Sequence, residues 1–432
     1  MTVIGLRQTL EQARIVPEMT AHLGADRVYL VGGALRDLLL GRPIGDFDFA
    51  LPGNPTDFAR GFAGRIGGHW FMLDKQRRQS RVVAGDLTYD FAPFRAADLE
   101  KDLRLRDFTI NALALPLAAA GFSPPIFDPL GGQADIAERR LRACSPGVFE
   151  DDPLRVLKGV RHAAVLSFAV EAETFQLMRE AAGLLGRVAP ERVRAELAAI
   201  CAAAPVAPPL RMLEELGLLR EIFGPPAPGG APAAGETVAV RTEALLAALA
   251  AEADLADLLA GEFEAGLTRA ALLKLAAFLR GYRPAELPAR LAGLRLGRRT
   301  SAVLSRLYEL PAAKAQEAER LPDYERGRAL WAAKLGGSPV DALLFLAGLR
   351  EEAPVAALAQ MLPVLRAYRK HNANGRVPDL IDGIWLRENL GIGEGQAAGE
   401  ALAAVRREEI AGRVRSVKNA KDFLLSRRRE ND

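Results

Sequence analysis

The sequence predicts an α+β fold, in which a head of mixed strands and helices over residues 1–142 precedes an all-helical remainder. Three observations carry that reading. Short runs that are apolar or that alternate in polarity, "RVYLVGG", "DFDFAL", "SRVVAG" and "LTYDFAPF", all fall before residue 95, and such runs read as strands. The last two meet at "GDL" and read as a hairpin. From about residue 143 the apolar spacing becomes helical, as in "DPLRVLKGVRHAAVL" and "PERVRAELAAICAA". Only "GPPAPGGAPAAGE", residues 224–236, interrupts that pattern, and it reads as a flexible surface linker.

Composition excludes several classes. A chain of 432 residues predicts two to four domains. No run of about 18 uncharged apolar residues occurs, so neither a signal peptide nor a membrane span is expected, which points to the cytoplasm. Cys144 and Cys201 stand in no metal-ligand spacing, and the four histidines are scattered, which argues against disulfides, structural zinc and a zinc hydrolase. A net charge of +3 carries no meaning alone. Arginine-rich runs recur at 75–81, 138–142, 366–371 and 427–429; arginine suits phosphate, but the plainer reading of any single run is an ordinary solvated face.

Within the head, "LVGG" closes an apolar strand and opens the helix "ALRDLLLG", with Leu35, Leu38 and Leu39 on its packed side. Gly32 and Gly33 there let backbone N–H groups approach a phosphate. No Walker lysine and no G-x-G-x-x-G follow. In "DFD", Asp46 and Asp48 share one strand face while Phe47 and Phe49 turn to the core. Two carboxylates about 7 Å apart on a strand repel unless a cation lies between them, and hard oxygen ligands suit Mg²⁺. Asp90 in "TYDFA" offers a third acid, with Tyr89 and Phe91 inward. Read without relatives, "RDFTINA" is only a polar start to a buried helix, with Asp107 near its cap.

The spacing strand, Gly-Gly, helix, Asp-x-Asp over residues 28–50 resembles the nucleotidyltransferase signature of the polymerase-β superfamily. With "RDFTINALAL" (106–115), "DPLGGQADI" (128–136), "DDPLRVLKGVRHAA" (151–164) and "APERVRAEL" (189–197), the chain resembles the class II CCA-adding tRNA nucleotidyltransferase and bacterial poly(A) polymerase family. The resemblance implies a polymerase-β-like head over 1–142, a helical neck over 143–205, a body over 206–365 and a tail over 366–432. It implies that Asp46 and Asp48, with Asp90, hold two Mg²⁺ ions. Gly32, Gly33, Arg36 and Asp37 would receive a triphosphate, Arg106 the incoming nucleotide, and Asp107 its ribose hydroxyl, with Asn111 ordering that segment. Lys158 and Arg161 join the nucleotide site. The implied partners are CTP, ATP and the acceptor stem and elbow of tRNA, with no membrane and no obligate protein partner. Arg366, Arg369, Lys370, Arg413, Arg415 and Lys418 are candidates for RNA phosphate contacts.

The helix "DDPLRVLKGVR" suggests how a base could be chosen. Asp152 begins it, Pro153 suits its first turn, and Arg155 lies on the same face. A carboxylate accepts and a guanidinium donates, which matches the pairing edges of cytosine and adenine and opposes those of guanine and uracil. The plainer alternative is an N-cap with an intrahelical ion pair. The chain departs from the family at three places: Asp151 replaces glutamate and Lys158 a common arginine, Leu105 takes a basic position, and "YDFAPFR" runs almost directly into "LEKDLRLRDFT". Most CCA-adding relatives carry a longer loop there, associated with the change from C to A addition. Its shortness suggests addition of the two cytidines only, or another way of managing the change. Poly(A) addition to other RNA ends is the runner-up within the family, and a non-catalytic RNA-binding homologue the alternative outside it.

Overall fold

A computed structural model of the chain describes residues 27–117, 125–229, 231–264, 266–283, 286–310, 321–372 and 376–431. They form two compact units that meet in sequence at Val188 and Ala189, within the stretch expected to be the neck.

The first unit is built on a six-stranded sheet in the order β3-β4-β5-β2-β1-β6. Its strands are β1 (Val28–Val31), β2 (Asp46–Leu51), β3 (His69–Asp74), β4 (Gln79–Ala84), β5 (Leu87–Pro93) and β6 (Ala114–Leu117). Strands β2 and β5 run parallel with Asp48 opposite Asp90, and the other pairs are antiparallel. The mixed sheet follows from alternation. Phe47 and Tyr89 stack at 5.6 Å and Phe49 and Phe91 at 5.0 Å. Helix α2 (Thr56–Ile66) lays Phe58, Ala59, Phe62 and Ala63 over that face, and Phe62 meets Phe91 edge-on. Alternation then sends Asp46 and Asp48 to the opposite face. Further along that face Ala50 joins Val31, Ala112, Ala114 and Leu103 in a second apolar cluster. Leu103 comes from α3 (Leu99–Arg104), so the helix covers the far end of the strand and leaves the acids open.

The hairpin of β4 and β5 is present as the alternation predicts. The segment "RDFTINALAL" is not a helix: a 3₁₀ turn, Thr109–Asn111, leads straight into β6, which pairs with β1. Sheet pairing decides the matter, because β6 buries its apolar residues against an existing edge. Leu39, expected on the packed side of α1 (Gly33–Leu39), is only partly buried, whereas Leu35 and Leu38 are fully so.

The remaining elements of this unit are α4 (Gly132–Ala137), α5 (Val148–Asp151), α6 (Leu154–Leu166) and α7 (Ala172–Ala181), with a parallel bridge between β7 (Arg140–Leu141) and β8 (Ala169–Val170). Helix α6 packs closely because Gly159 has no side chain; a Cβ there would lie 2.7 Å from Met178 Cε and 3.1 Å from Phe108 Cζ.

The second unit is helical, apart from a short strand pair, Glu262–Glu264 with Leu267–Thr268, that the helical periodicity did not anticipate. The linker expected at 224–236 is shorter than its composition implies. A 19-residue helix begins at Pro232 and takes in "PAAGE", since proline is well suited to a first helical turn and alanine to the turns after it. No helix among the described residues is long and apolar enough to cross a membrane.

Candidate active site

Asp46 and Asp48 lie exposed on the open face of β2. Gly32, the residue before α1, has φ 75° and ψ −148°, a region essentially confined to glycine. A Cβ on Gly32 would sit 3.0 Å from Asp48 Oδ2 and 3.4 Å from Arg106 Nη1. The turn, the catalytic-candidate carboxylate and the arginine therefore converge on one spot. Asp48 keeps an open side to solvent, yet desolvation by the protein behind it raises its pKa, with Asp90 and Asp46 adding to the rise and Arg106 opposing it. A group in that state favours any cation that can share it.

Arg106 donates from Nη2 to Asp102 Oδ2 at 3.2 Å, and its buried Nε finds no hydrogen-bond partner among the described residues. Asp102 also accepts from the Arg95 backbone N–H at 2.9 Å and from Arg95 Nε at 3.0 Å. Asp102 thus ties the short stretch after β5 to the arginine that faces Asp48.

A buried network follows directly. Asp107 Oδ1 accepts from Phe108 N at 2.9 Å and from Asn111 Nδ2 at 3.0 Å, and Oδ2 takes no part in those bonds. Asn111 Oδ1 accepts from Arg36 Nη1 at 2.7 Å, and Arg36 grips Asp37 through Nε and Nη2 at 3.0 and 2.9 Å. Asn111 Nδ2 also lies 3.5 Å from Nε2 of buried His162, whose ring meets Phe108 edge-on. Burial pushes the Asp107 carboxyl up, but His162, Lys158 and the two hydrogen bonds outweigh it and hold it well below the carboxylate range. Burial and the positive charge of Arg161 hold His162 neutral. Arg36 and Asp37, expected at a triphosphate, are in this structure partners of one another, and Asn111 bridges Arg36 and Asp107.

Asp152 does not open α6. It is extended, closes α5, and accepts from Leu154 N at 3.3 Å, with Pro153 capping the helix. Arg155 donates from Nη1 to Val148 O and from Nη2 to Leu105 O, both at 3.0 Å. Its guanidinium is thereby oriented by backbone carbonyls on either side. Lys158 and Arg161, one and two turns on, are partly exposed, and both act electrostatically on the Asp107–His162 pair.

Asp90 is placed differently from the other two acids. It faces Arg81 across the β4–β5 pair and accepts from Nε at 2.6 Å and Nη2 at 2.7 Å, one bond to each oxygen. Among the described residues no three Asp, Glu, His or Cys side chains gather as a metal-ligand set. Asp46 and Asp48 fit a hard divalent cation, and Asp90, the neighbour of Asp48 across the β2–β5 pair, is oriented by Arg81. Arg81 is the residue that reading by composition missed, although counting outward from the two-residue turn Gly85-Asp86 would have set it opposite Asp90.

The basic candidates of the second unit are all exposed, and five are ion-paired. Arg366 pairs with Glu252 at 2.8 Å and Asp254 at 2.7 Å, Arg369 with Asp257 at 2.6 Å, and Lys370 with Glu325 at 3.0 Å. Arg413 pairs with Glu408, and Arg415 with Asp323 at 3.0 Å. In the first unit, Arg140 and Arg142 both serve buried Asp135, at 2.7 and 3.0 Å, so the run at 138–142 is structural.

An acid pair on an open sheet face, set against a glycine turn and an arginine, is the arrangement of a nucleotidyltransferase. The Poly A polymerase head domain family matches residues 28–142, and the family described as the probable RNA and SrmB-binding site of polymerase A matches 167–229. The CC-adding tRNA nucleotidyltransferase of Geobacter sulfurreducens is 36% identical, with 95% of each chain covered. The A-adding tRNA nucleotidyltransferase of Deinococcus radiodurans is 44% identical over 44% of this chain and 43% of its own. The Thermotoga maritima CCA-adding enzyme complexed with tRNA shares the fold, with TM-score 0.69, 24% identity, and 95% and 94% of the two chains covered. The chain belongs to the tRNA nucleotidyltransferase and poly(A) polymerase family, and it is an enzyme that adds nucleotides to the 3′ end of tRNA.

Proposed function

We propose that this enzyme adds cytidines, and only cytidines, to the 3′ end of immature tRNA from CTP. The observation that carries the reading is the tethered connection after β5. Residues 94–98 alone separate it from α3. Phe94 N donates to Leu51 O at 3.0 Å, and Arg95 binds Asp102 by main chain and side chain. Little chain remains there to remodel the site for a second base. The likeness to a CC-adding relative over nearly the whole chain supports the same reading. The partial likeness to an A-adding relative supports the second one, addition of AMP to a CC end.

In the reaction, the terminal RNA hydroxyl attacks the α-phosphate and pyrophosphate leaves. Asp46 and Asp48 would hold Mg²⁺, which when bound lowers the pKa of the attacking hydroxyl and offsets charge on the leaving group. Arg106 faces the nucleotide from the Gly32 turn. Asp107, ionised and with Oδ2 outside its internal bonds, accepts from the ribose hydroxyl. Arg155, oriented by the Leu105 and Val148 carbonyls, donates to the acceptor on the base edge, and Asp152 accepts from the amino group. A guanidinium already held in place loses little freedom on binding. Neck, body and tail grip the tRNA by its phosphates, in the cytoplasm.

The test is to supply transcripts ending before the first C, after CC, and an unrelated RNA, with each nucleoside triphosphate singly and with CTP plus ATP. Products resolved to one nucleotide should stop at CC. Completion to CCA, or AMP addition to the CC transcript, overturns the C-only reading; extension of the unrelated RNA with ATP points instead to poly(A) synthesis.

A further inference from the structure

We propose that the single-stranded 3′ end of the RNA runs from the reaction centre across the β4 and β3 half of the sheet, where Phe71 stacks on a base and the basic β3–β4 turn holds the phosphates behind it. This goes beyond the preceding reading, which gives the RNA to neck, body and tail, and it rests on that reading's placement of the reacting hydroxyl at Asp46 and Asp48. The register draws the path. Asp48 lies opposite Asp90, Asp90 opposite Arg81, and Arg81 opposite Phe71. Directly opposite side chains leave the same face of a sheet, so these residues form one row, with about 4.8 Å between successive strands. On the β1 side of Asp48 stand the Gly32 turn and Arg106. A strand whose end reacts at the acids therefore has β5, β4 and β3 to leave by.

The residues along that way out suit a single strand of RNA. Thr88, Asp90, Arg81, Val83, His69 and Phe71 are all at least partly exposed, so this half of the face is open. Phe71 is 43% exposed, whereas its neighbour Trp70 turns to the other face and lies under Arg60 of α2 at 4.2 Å. An exposed ring beside a guanidinium that Asp90 holds in place is a stacking platform for any base. The turn between β3 and β4 carries most of the basic run at 75–81. Arg77 comes no closer than 3.8 Å to Asp74, and Lys75 and Arg78 make no ion pair among the described residues. By contrast, Arg140, Arg142, Arg366 and Arg369 in the runs at 138–142 and 366–371 are closed on acids. Arg77 and Arg78 also line a cavity of about 500 Å³ with Pro52, Gly53 and Phe94, at the end of the sheet where β5 stops. A polyanion answers these cations. A second copy of the chain, pairing along the edge strand β3, would bring only more of the same charge.

The experiment measures binding of the full-length protein, without CTP or ATP, to a tRNA ending after its first C, read by fluorescence polarisation. The same RNA is also made with an abasic residue at each unpaired 3′ position in turn. Thermal melting and light scattering of each variant check fold and oligomeric state. Phe71→Ala should weaken binding about tenfold, and Phe71→Trp should stay within about twofold of wild type. One abasic position should cost the wild type about tenfold and cost Phe71→Ala nothing further. Arg78→Ala should lower the slope of log affinity against log salt by about one, a slope that Phe71→Ala leaves alone. Wild-type binding by Phe71→Ala overturns the proposal, and so does a loss that adds equally to every abasic position. A Phe71→Ala variant that only splits a dimer would assign the β3 edge to a second copy and overturn it too. Asp48→Asn separates the failures. If that variant still adds nucleotides, the acid face is not the reaction centre and the preceding reading fails; if it is inactive while Phe71→Ala binds normally, only the path fails.

Discussion

Two regions of the first unit are built from charged residues and behave in opposite ways. On the acid face, Asp46 and Asp48 are exposed and like-charged, and the positive charges that act on Asp48 are those of Arg106 and Arg81. Around Asn111, by contrast, Arg36, Asp37, Asp107 and His162 form a closed set in which each polar atom used has a partner. The first arrangement spends stability on chemistry, because ionised neighbours destabilise the fold until a cation arrives. The second is scaffold: it joins α1, the 3₁₀ turn and α6, and leaves only one Asp107 oxygen for a ligand. Unbalanced charge marks a face that would favour a cation, and balanced charge marks what holds the neighbouring segments in place.

Four measurements would break or sharpen that contrast. The largest effect belongs to the acid face. Asp46→Asn or Asp48→Asn should reduce nucleotide addition by at least about 10²–10³-fold. At neutral pH the Asp48→Asn protein should melt no lower than wild type. The sign follows from the raised pKa of Asp48: an acid harder to ionise when folded destabilises the fold as pH rises through its range. A fall in melting temperature as large as the fall in activity would erase the distinction between the two regions.

Next comes the scaffold. Asn111→Leu strands the buried Arg36 and Asp107 bonds, and each stranded group costs roughly 1–3 kcal/mol. Urea unfolding should show that loss directly, with nucleotide addition falling alongside it. A variant that keeps wild-type stability would show the network to be dispensable.

A smaller effect appears with pH. His162 is held neutral in the fold, by burial first and then by Arg161. The unfolded chain therefore binds a proton that the folded one refuses, and stability falls as pH drops below the ordinary histidine value of about 6.5. Asp107, depressed by its partners, adds a further loss only below the ordinary aspartate value of about 3.9. His162→Gln should flatten the upper part of that curve in pH-dependent melting and leave the lower part.

The smallest effect lies in the second unit. Arg366→Ala removes an exposed residue from its pairs with Glu252 and Asp254, and such pairs contribute little to stability. Melting should not change. If Arg366 exchanges those acids for phosphate, the slope of log affinity for tRNA against log salt should fall by about one. Lys418→Ala should do the same if that residue touches the RNA. A slope that neither variant moves would confine both residues to the surface of the protein.

Much of the site could be read from local pattern. Alternation in "DFDFAL" is enough to set Asp46 and Asp48 on one face and their phenylalanines on the other, and the two-residue turn is enough to align β4 with β5. The glycine turn pointed to Gly32, whereas only the family resemblance pointed to Arg106 and Asp107. What local pattern could not supply was the identity of partners. "RDFTINALAL" carries apolar residues that suit a helix or a strand equally, and the free edge of β1 decided for strand. "PAAGE" was read as linker because its composition is that of a loop, yet it begins a helix.

The sequence by itself thus determined most of the head's strands and their faces, because side-chain alternation acts over a few residues, and its motifs carried the family resemblance. Tertiary structure alone decided that Arg81 claims Asp90, that Asn111 answers Arg36 across 75 residues and His162 across 51, and that the basic residues of the tail meet acids. Charge pairs form between groups that packing brings within about 3 Å, and no periodicity in one dimension records which segments those will be.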